Sequence, residues 1–294
     1  MSVLVIDVGT SSVRAAIVRP DGAVDNVQRR PLPPMVPAPG LVEFDAGAMG
    51  AAAIEVANAA LTEGGPVDAV GITAQRSSTI AWDAATGRPL GPGLGWQDLR
   101  TAGMCLELQG EGLRFSPSES ATKAAWLLDT YDPHRATDIR IGTVDSWIAW
   151  QLSEGDAHIT DRSNAAVTGL LAPGGEGWRI DLIERLGIPR TALATLVDSS
   201  GPLATASALT GRPAICGIIG DQQASLMGQG CTRPGLAKVT FGTGAMLDVC
   251  LGETRPDFTS RGPGGCFPII AWQRAGRTTW GVEAIMLAAG SAVD

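Results

Sequence analysis

The stretch VIDVGTSSVRAAIV, residues 5–18, decides how the chain begins to fold. An apolar run ends at Asp7, turns through Val8-Gly9-Thr10-Ser11-Ser12, and resumes at once as a second apolar run. No helical periodicity follows the turn, so the two runs read as an antiparallel hairpin. No lysine follows either, which excludes a Walker loop, G-x-x-x-x-G-K-[ST]. Gly9 lets the backbone come close to an anion, and successive N–H groups in such a turn can form a nest. Asp7, at the strand end, is placed to hold a hydrated Mg²⁺. An ordinary hairpin with a polar tip fits the same residues equally well.

The pattern outward from this hairpin alternates strands and helices. Residues 2–8, 13–19 and 23–29 read as strands, and 29–40, with five prolines, as an extended loop. Asp45 is a candidate N-cap for a helix over 46–62. Buried strands follow at 67–74, at STIAWD and at RPAICGIIG. Helical patterns follow WQDLRT and lie at 121–131, 144–153, 180–187 and 189–196, and another opens at QQASLMGQG. From 235 the texture is β-rich: 235–241, 244–251, 266–273 and 277–283, with a helix expected at EAIMLAAGSAVD. AKVTFGTGAMLDVCL echoes the opening stretch as strand, Gly-Thr turn, strand, which suggests two halves of similar build. The chain stops inside that last apolar helical pattern without a capping glycine, so the second half is expected to be incomplete.

The 294 residues carry a net charge of −8 and a pI near 4.8. That balance argues against a nucleic-acid partner, whose phosphates need Lys and Arg to neutralise them. Only Lys123 and Lys238 are lysines. The five cysteines are widely spaced with no C-x-x-C, and the two histidines are scattered, so a disulfide framework, zinc knuckle or His-based triad finds no support. No apolar run approaches 18 residues. The sequence reads as a soluble, cytoplasmic protein without a membrane or nucleic-acid partner, and leaves a homo-oligomer open.

Three further motifs carry chemistry. In GIIGDQQAS an apolar strand delivers Asp221 to its carboxyl end, where open α/β sheets place ligands and where an aspartate can take a proton from a hydroxyl. A helix N-cap is the bland alternative for Asp221. VTFGTGAML contains a second tight turn, Gly242-Thr243-Gly244. GITAQRSSTIAW and GLGWQDLRT offer Arg76 as a multiple donor and Trp96 as a flat apolar face; either alone is equally a surface arginine or a core tryptophan.

Taken together, these segments resemble the FGGY family of carbohydrate kinases, and within it the glycerol-kinase branch. The matching text, in the family's order, includes IDVGTSSVRAAIV, GITAQRSSTIAW, GWQDLRT, ATKAAWLLD, HITDRSNAAVTGLL, GIIGDQQASLMGQG and AKVTFGTGAMLDV. The resemblance implies an α/β, actin-like ATPase fold, in which ribonuclease-H-like mixed sheets are flanked by helices. It implies one complete domain, 1–231, carrying the substrate site and first phosphate hairpin, and the start of a second, 232–294. It implies ATP and Mg²⁺ as cofactors, and phosphoryl transfer to the hydroxyl of a small polyol or sugar, foremost glycerol to glycerol 3-phosphate.

Carried over by motif, Asp7 would hold Mg²⁺ through water. Thr10, Ser11, Ser12 and Arg14 would line the first phosphate hairpin and Gly242, Thr243 and Gly244 the second, with Gly290 a further nucleotide contact. Asp221 would be the general base, and Arg76, Trp96, Gln222 and Met246 would join it around the substrate. The chain departs from the branch at Ser77, where the family has Glu, at Ser118, where it has Tyr, and at Met246, where it has Phe. These changes imply a roomier, less charged pocket and keep longer acceptors of the erythritol, xylitol or xylulose type open, along with a non-catalytic sugar-binding member. The missing part of the second half implies weak ATP binding and little turnover by this chain alone.

Overall fold

A computed structural model describes residues 1–241, 245–259 and 261–286. The chain runs through β1 (Val3–Val8), β2 (Ser12–Val18), β3 (Val24–Pro31), β4 (Glu43–Phe44), α1 (Ala46–Gly64), β5 (Ala69–Ala74), β6 (Thr79–Asp83) and β7 (Gly93–Leu94). It continues through α2 (Ala102–Gly110), α3 (Ser120–Tyr131), β8 (Ile139–Thr143), α4 (Val144–Leu152), β9 (Ile159–Asp161), α5 (Arg162–Ala165) and α6 (Ile180–Arg185). Then come β10 (Thr195–Val197), β11 (Ser200–Thr205), β12 (Ala214–Gly220), α7 (Asp221–Gly228), β13 (Ala237–Phe241), β14 (Ala245–Gly252), β15 (Phe267–Arg274) and β16 (Arg277–Met286).

The opening stretch is the expected hairpin, paired from Val3↔Val18 to Val8↔Val13. It sits inside a six-stranded mixed sheet of order β11-β12-β5-β1-β2-β3. β1, β5 and β12 are parallel neighbours, and their register brings Val8, Ala74 and Gly220 level with one another. The residues that leave these three strands therefore emerge side by side, at the carboxyl edge where such sheets bind ligands.

Alternation sets the packing. On β1, Leu4, Ile6 and Val8 are fully buried, and they share a core with Met49, Ala52, Ala53, Val56, Ala57 and Ala60 of α1. The alanines let α1 lie close on the sheet. Asp45 caps the helix, accepting the Ala48 N–H at 2.8 Å, and Gly65, at φ 80°, ends it.

β13 to β16 form a separate antiparallel sheet of order β13-β14-β16-β15. Its register places Lys238, Asp248 and Glu283 in one row across three strands, Lys238↔Asp248↔Glu283. All three are buried. The opposite face is apolar and open: Val239 is 48% exposed, Leu247 39% and Phe241 80%.

Three expectations need correction. Residues 189–196 are not a helix: a 3₁₀ turn over Arg190–Ala192 leads into β10, whose pairing with β9 satisfies the backbone instead. Glu283–Met286 is not helical either, because these residues continue β16 against β14 as far as Met286↔Ala245. The proline-rich loop begins later than expected, since β3 runs to Pro31 on the sheet's edge, where a missing N–H is tolerated. β11 went unexpected; it carries Pro202, and it too is an edge strand, with an irregular register between Ser200 and Ala204.

Candidate active site

The β1–β2 turn is tight, with the Gly9 N–H donating to the Ser12 carbonyl at 3.0 Å. Asp7 lies opposite Arg14 in the hairpin register, and the Arg14 guanidinium donates to it at 3.0 Å. Burial pushes the Asp7 carboxyl up from its ordinary value, and Arg14 pulls against that shift. Thr10 Oγ1 donates to Gln75 Oε1 at 3.1 Å and accepts from Trp96 Nε1 at 3.2 Å. One hydroxyl thus ties the hairpin, the end of β5 and Trp96 into a unit. Ser11 is exposed at the turn, whereas Ser12 is buried beneath it.

Asp221 opens α7 directly after β12. Its side chain accepts the Gln222 N–H at 2.7 Å and lies 3.5 Å from Arg76 Nε. It remains 34% exposed, so it is open to a ligand. Burial pushes its carboxyl up; Arg76 and the Gln222 N–H oppose that, while the charges of Glu283 and Asp7 add to it. Asp221 and Asp7 are therefore near enough to sense each other's charge. Arg76 is only 10% exposed and is gripped by Glu283, at 2.7 Å to Nη1 and 2.9 Å to Nη2. Burial opposes the Arg76 charge, but Glu283, Asp221 and Asp248 together outweigh it and keep the guanidinium ionised. The Gln222 Oε1 accepts from Lys238 Nζ at 2.6 Å. Met246, two residues before Asp248 on β14, is half-buried on the same face as Asp248.

Gly220 lets this cluster close. A Cβ there would lie 2.8 Å from Arg76 Cδ and 2.6 Å from Gln223 Oε1. Arg76 cannot swing aside freely, because Glu283 holds its far end. Gly220→Ala is expected to destabilise the fold by about 1–3 kcal/mol, the usual range for overpacking, read as a lower urea midpoint.

Ser77, Ser118 and Lys123 meet on the other side of Arg76. Ser77 adopts φ 63°, and its hydroxyl donates to the Val167 carbonyl at 2.9 Å. Lys123 Nζ is buried and donates to the Ser77 carbonyl at 3.3 Å and the Ser118 carbonyl at 2.9 Å. Burial lowers its pKa to about 7, with Asp98 and Glu119 resisting. The folded value lies below the unfolded one of about 10.4, so folding displaces a proton between those two values. Stability from this group therefore rises as pH goes from about 7 to about 10. Urea midpoints measured at both pH values should show a smaller alkaline gain, or a larger loss, for Lys123→Met than for the parent chain.

The sequence reading missed Glu283, Asp248 and Lys238. Their signal was present as charged residues at alternate positions inside otherwise apolar strands, in AKVTF, AMLDVC and WGVEAI. Gly242, Thr243, Gly244 and Gly290 lie outside the described residues. Among those described, no group of three or more His, Cys, Asp or Glu could hold a metal by itself, and no helix is long and apolar enough to cross a membrane.

A mixed sheet flanked by helices, its parallel strands ending together at a carboxylate-bearing edge, is the α/β architecture expected from the sequence. The same fold occurs in the glycerol kinase of Plasmodium falciparum crystallised with ADP (TM-score 0.91, 23% identity), where it covers 99% of this chain and 62% of that one. It occurs also in the xylulose kinase of Rhodospirillum rubrum (TM-score 0.85, 22% identity), over 100% of this chain and 62% of that one. Residues 2–228 match the N-terminal domain of the FGGY family of carbohydrate kinases, and the chain belongs to that family. It is 38% identical to the glycerol kinases of Alkalilimnicola ehrlichii and Dechloromonas aromatica, over 100% and 99% of this chain. It spans 62% and 61% of the length of these curated relatives.

Proposed function

We propose that the chain carries the acceptor site and first phosphate hairpin of a kinase that moves the γ-phosphoryl of ATP to a hydroxyl of glycerol, forming glycerol 3-phosphate. In this reading residues 1–231 form the first domain, 232–294 begin the second, and the protein works in the cytoplasm on small molecules. The observation that carries the proposal is the placement of Asp221. It is a partly open carboxylate at the shared carboxyl edge, flanked by Arg76 on one side and within electrostatic reach of Asp7 on the other.

The acceptor hydroxyl loses its proton to Asp221 as its oxygen bonds to the γ-phosphorus; the bond to the β-phosphate oxygen breaks and ADP departs. Arg76 and Gln222 donate to the remaining hydroxyls, and Trp96 offers its face to the carbon chain. The Gly9–Ser12 turn presents backbone N–H groups to phosphate oxygens in place of a P-loop lysine. Asp7 suits Mg²⁺, a hard cation that takes oxygen ligands and usually keeps waters beside one or two carboxylates. Its partly buried carboxyl, with Arg14 as its one charged partner among the described residues, fits that use. The ion would supply neutralisation of phosphate charge.

A longer acceptor is the second reading, favoured by Ser77 and Ser118. These small residues stand where the branch carries Glu and Tyr, and the Ser77 hydroxyl is turned to the Val167 carbonyl. A panel of glycerol, erythritol, xylitol and xylulose, compared for binding and for ATP-dependent phosphorylation, decides between the readings. Glycerol is expected to lead; glycerol handled no better than the longer acceptors would overturn its assignment.

A further inference from the structure

Two charged side chains from the second sheet reach the proposed acceptor residues, and a third lies between them. Lys238, Asp248 and Glu283 lie in one cross-strand row on β13, β14 and β16. Glu283, 1% exposed, accepts a hydrogen bond from Arg76 Nη2 at 2.9 Å and lies in ion-pair contact with Nη1 at 2.7 Å. Lys238 Nζ donates to Gln222 and to Thr240 and stands 3.0 Å from Asp248. Asp248 sits against Glu283 between the two grips, and burial together with the Glu283 charge pushes its carboxyl up. Arg76 and Lys238 bring two cations to the three carboxylates Asp221, Asp248 and Glu283. A buried cluster can be tolerated only when paired in this way.

The planar guanidinium explains why this row matters. Its donors form a rigid fork, and a carboxylate hydrogen-bonded to one terminal nitrogen and in ion-pair contact with the other restrains the plane of the whole group. The ion-pair approach of Arg76 to Asp221 is then through Nε at 3.5 Å, which is longer than a normal hydrogen bond. Without Glu283 the nearest carboxylate for Arg76 is Asp221 itself. A full ion pair there would occupy the oxygens that an acceptor hydroxyl needs and turn the Arg76 donors away from the ligand.

We propose that Glu283 is a positioning residue for the acceptor site: it holds Arg76 off Asp221, so that the arginine donates to the acceptor and the aspartate stays free for the reacting hydroxyl. Lys238 gives Gln222 the matching support. This inference rests on the acceptor site proposed above, and its consequence is that recognition by the first domain depends on β16, 207 residues away from Arg76 in sequence.

The test uses the whole 294-residue chain. Titration calorimetry with glycerol, erythritol and xylitol is run on the parent, Glu283→Gln, Glu283→Asp, Arg76→Met and the Arg76→Met/Glu283→Gln double variant. Glu283→Gln is expected to weaken the best-bound polyol by about tenfold or more, as loss of a charge-assisted hydrogen-bonded pair would, and Glu283→Asp by a smaller factor. In the Arg76→Met background the second change should alter affinity less than about twofold, because Glu283 acts through the arginine. Equal losses in both backgrounds, or unchanged affinity in Glu283→Gln, would overturn the proposal.

Nitrogen-15 NMR of the Arg76 guanidinium gives a readout independent of ligand. Separate Nη signals in the parent should merge in Glu283→Gln, or in Glu283→Asp if the first variant does not fold. Unchanged signals in a folded variant would also overturn the proposal. If the parent binds none of the three polyols, the acceptor-site reading fails, and the guanidinium signals still decide whether Glu283 holds Arg76.

Discussion

Asp221→Asn is expected to slow phosphoryl transfer by a factor of about 10²–10⁴, the usual worth of a positioned general base, while leaving polyol affinity within a few-fold. The amide preserves the size of the side chain and one acceptor oxygen but cannot take the hydroxyl proton. Transfer is timed with labelled ATP in this chain or, where its own turnover is too slow to time, in a version extended by the C-terminal segment of a glycerol-kinase relative. Polyol affinity is measured alongside. Turnover within tenfold of the parent would remove Asp221 from the role of base. The pH profile supplies a second signature. Burial raises the Asp221 carboxyl, and the base works only when ionised, so the acid limb of kcat/KM should lie above the ordinary aspartate range near pH 4. Whatever activity survives in Asp221→Asn should lack that limb.

Trp82→Ala is expected to cost about 3–5 kcal/mol, the range for removing a buried aromatic ring. That is a large part of the roughly 5–15 kcal/mol that holds a typical domain together. Trp82 on β6 is wholly buried and packs edge-on against three rings: Trp147 at 5.1 Å, Trp150 at 5.8 Å and His158 at 5.1 Å. Trp82 Nε1 finds no hydrogen-bond partner among the described residues, so truncation breaks no hydrogen bond there and its cost is one of packing and cavity. Equilibrium urea unfolding measures it, and a loss below about 1 kcal/mol would mean that the neighbouring rings collapse into the space. His158 reports on the same cavity. Burial lowers its pKa to about 4. Water admitted by Trp82→Ala should move it back toward its ordinary value of about 6.5, visible in the imidazole proton shifts.

Much of the molecule was legible in the chain. The opening hairpin, the capped helix after Asp45, the strand that delivers Asp221 and the antiparallel texture after 235 all follow from local periods of two and 3.6 and from turn chemistry. Arg76, Trp96, Asp221 and Gln222 were legible as candidates for the proposed acceptor site because each stands just past an apolar strand or within a loop motif. The two helix misreadings share one cause. Residues 189–196 and Glu283–Met286 carry apolar spacing that suits a helix, and pairing with β9 and β14 decided otherwise. β11 was hidden because its proline is admissible only on an edge, and a sheet's edge is a property of the assembled sheet.

The sequence by itself determined the hairpin turn, the family resemblance and the carboxylate at the end of β12, since each is written in neighbouring residues. Only the tertiary structure decided who holds them. Glu283 meets Arg76 and Lys238 meets Gln222 because strand register lines up three buried charges and packing turns that row toward α7. Local spacing cannot encode such a meeting: a buried charge is tolerated only where another element brings its counter-charge, and which element does so is settled when the sheets pack.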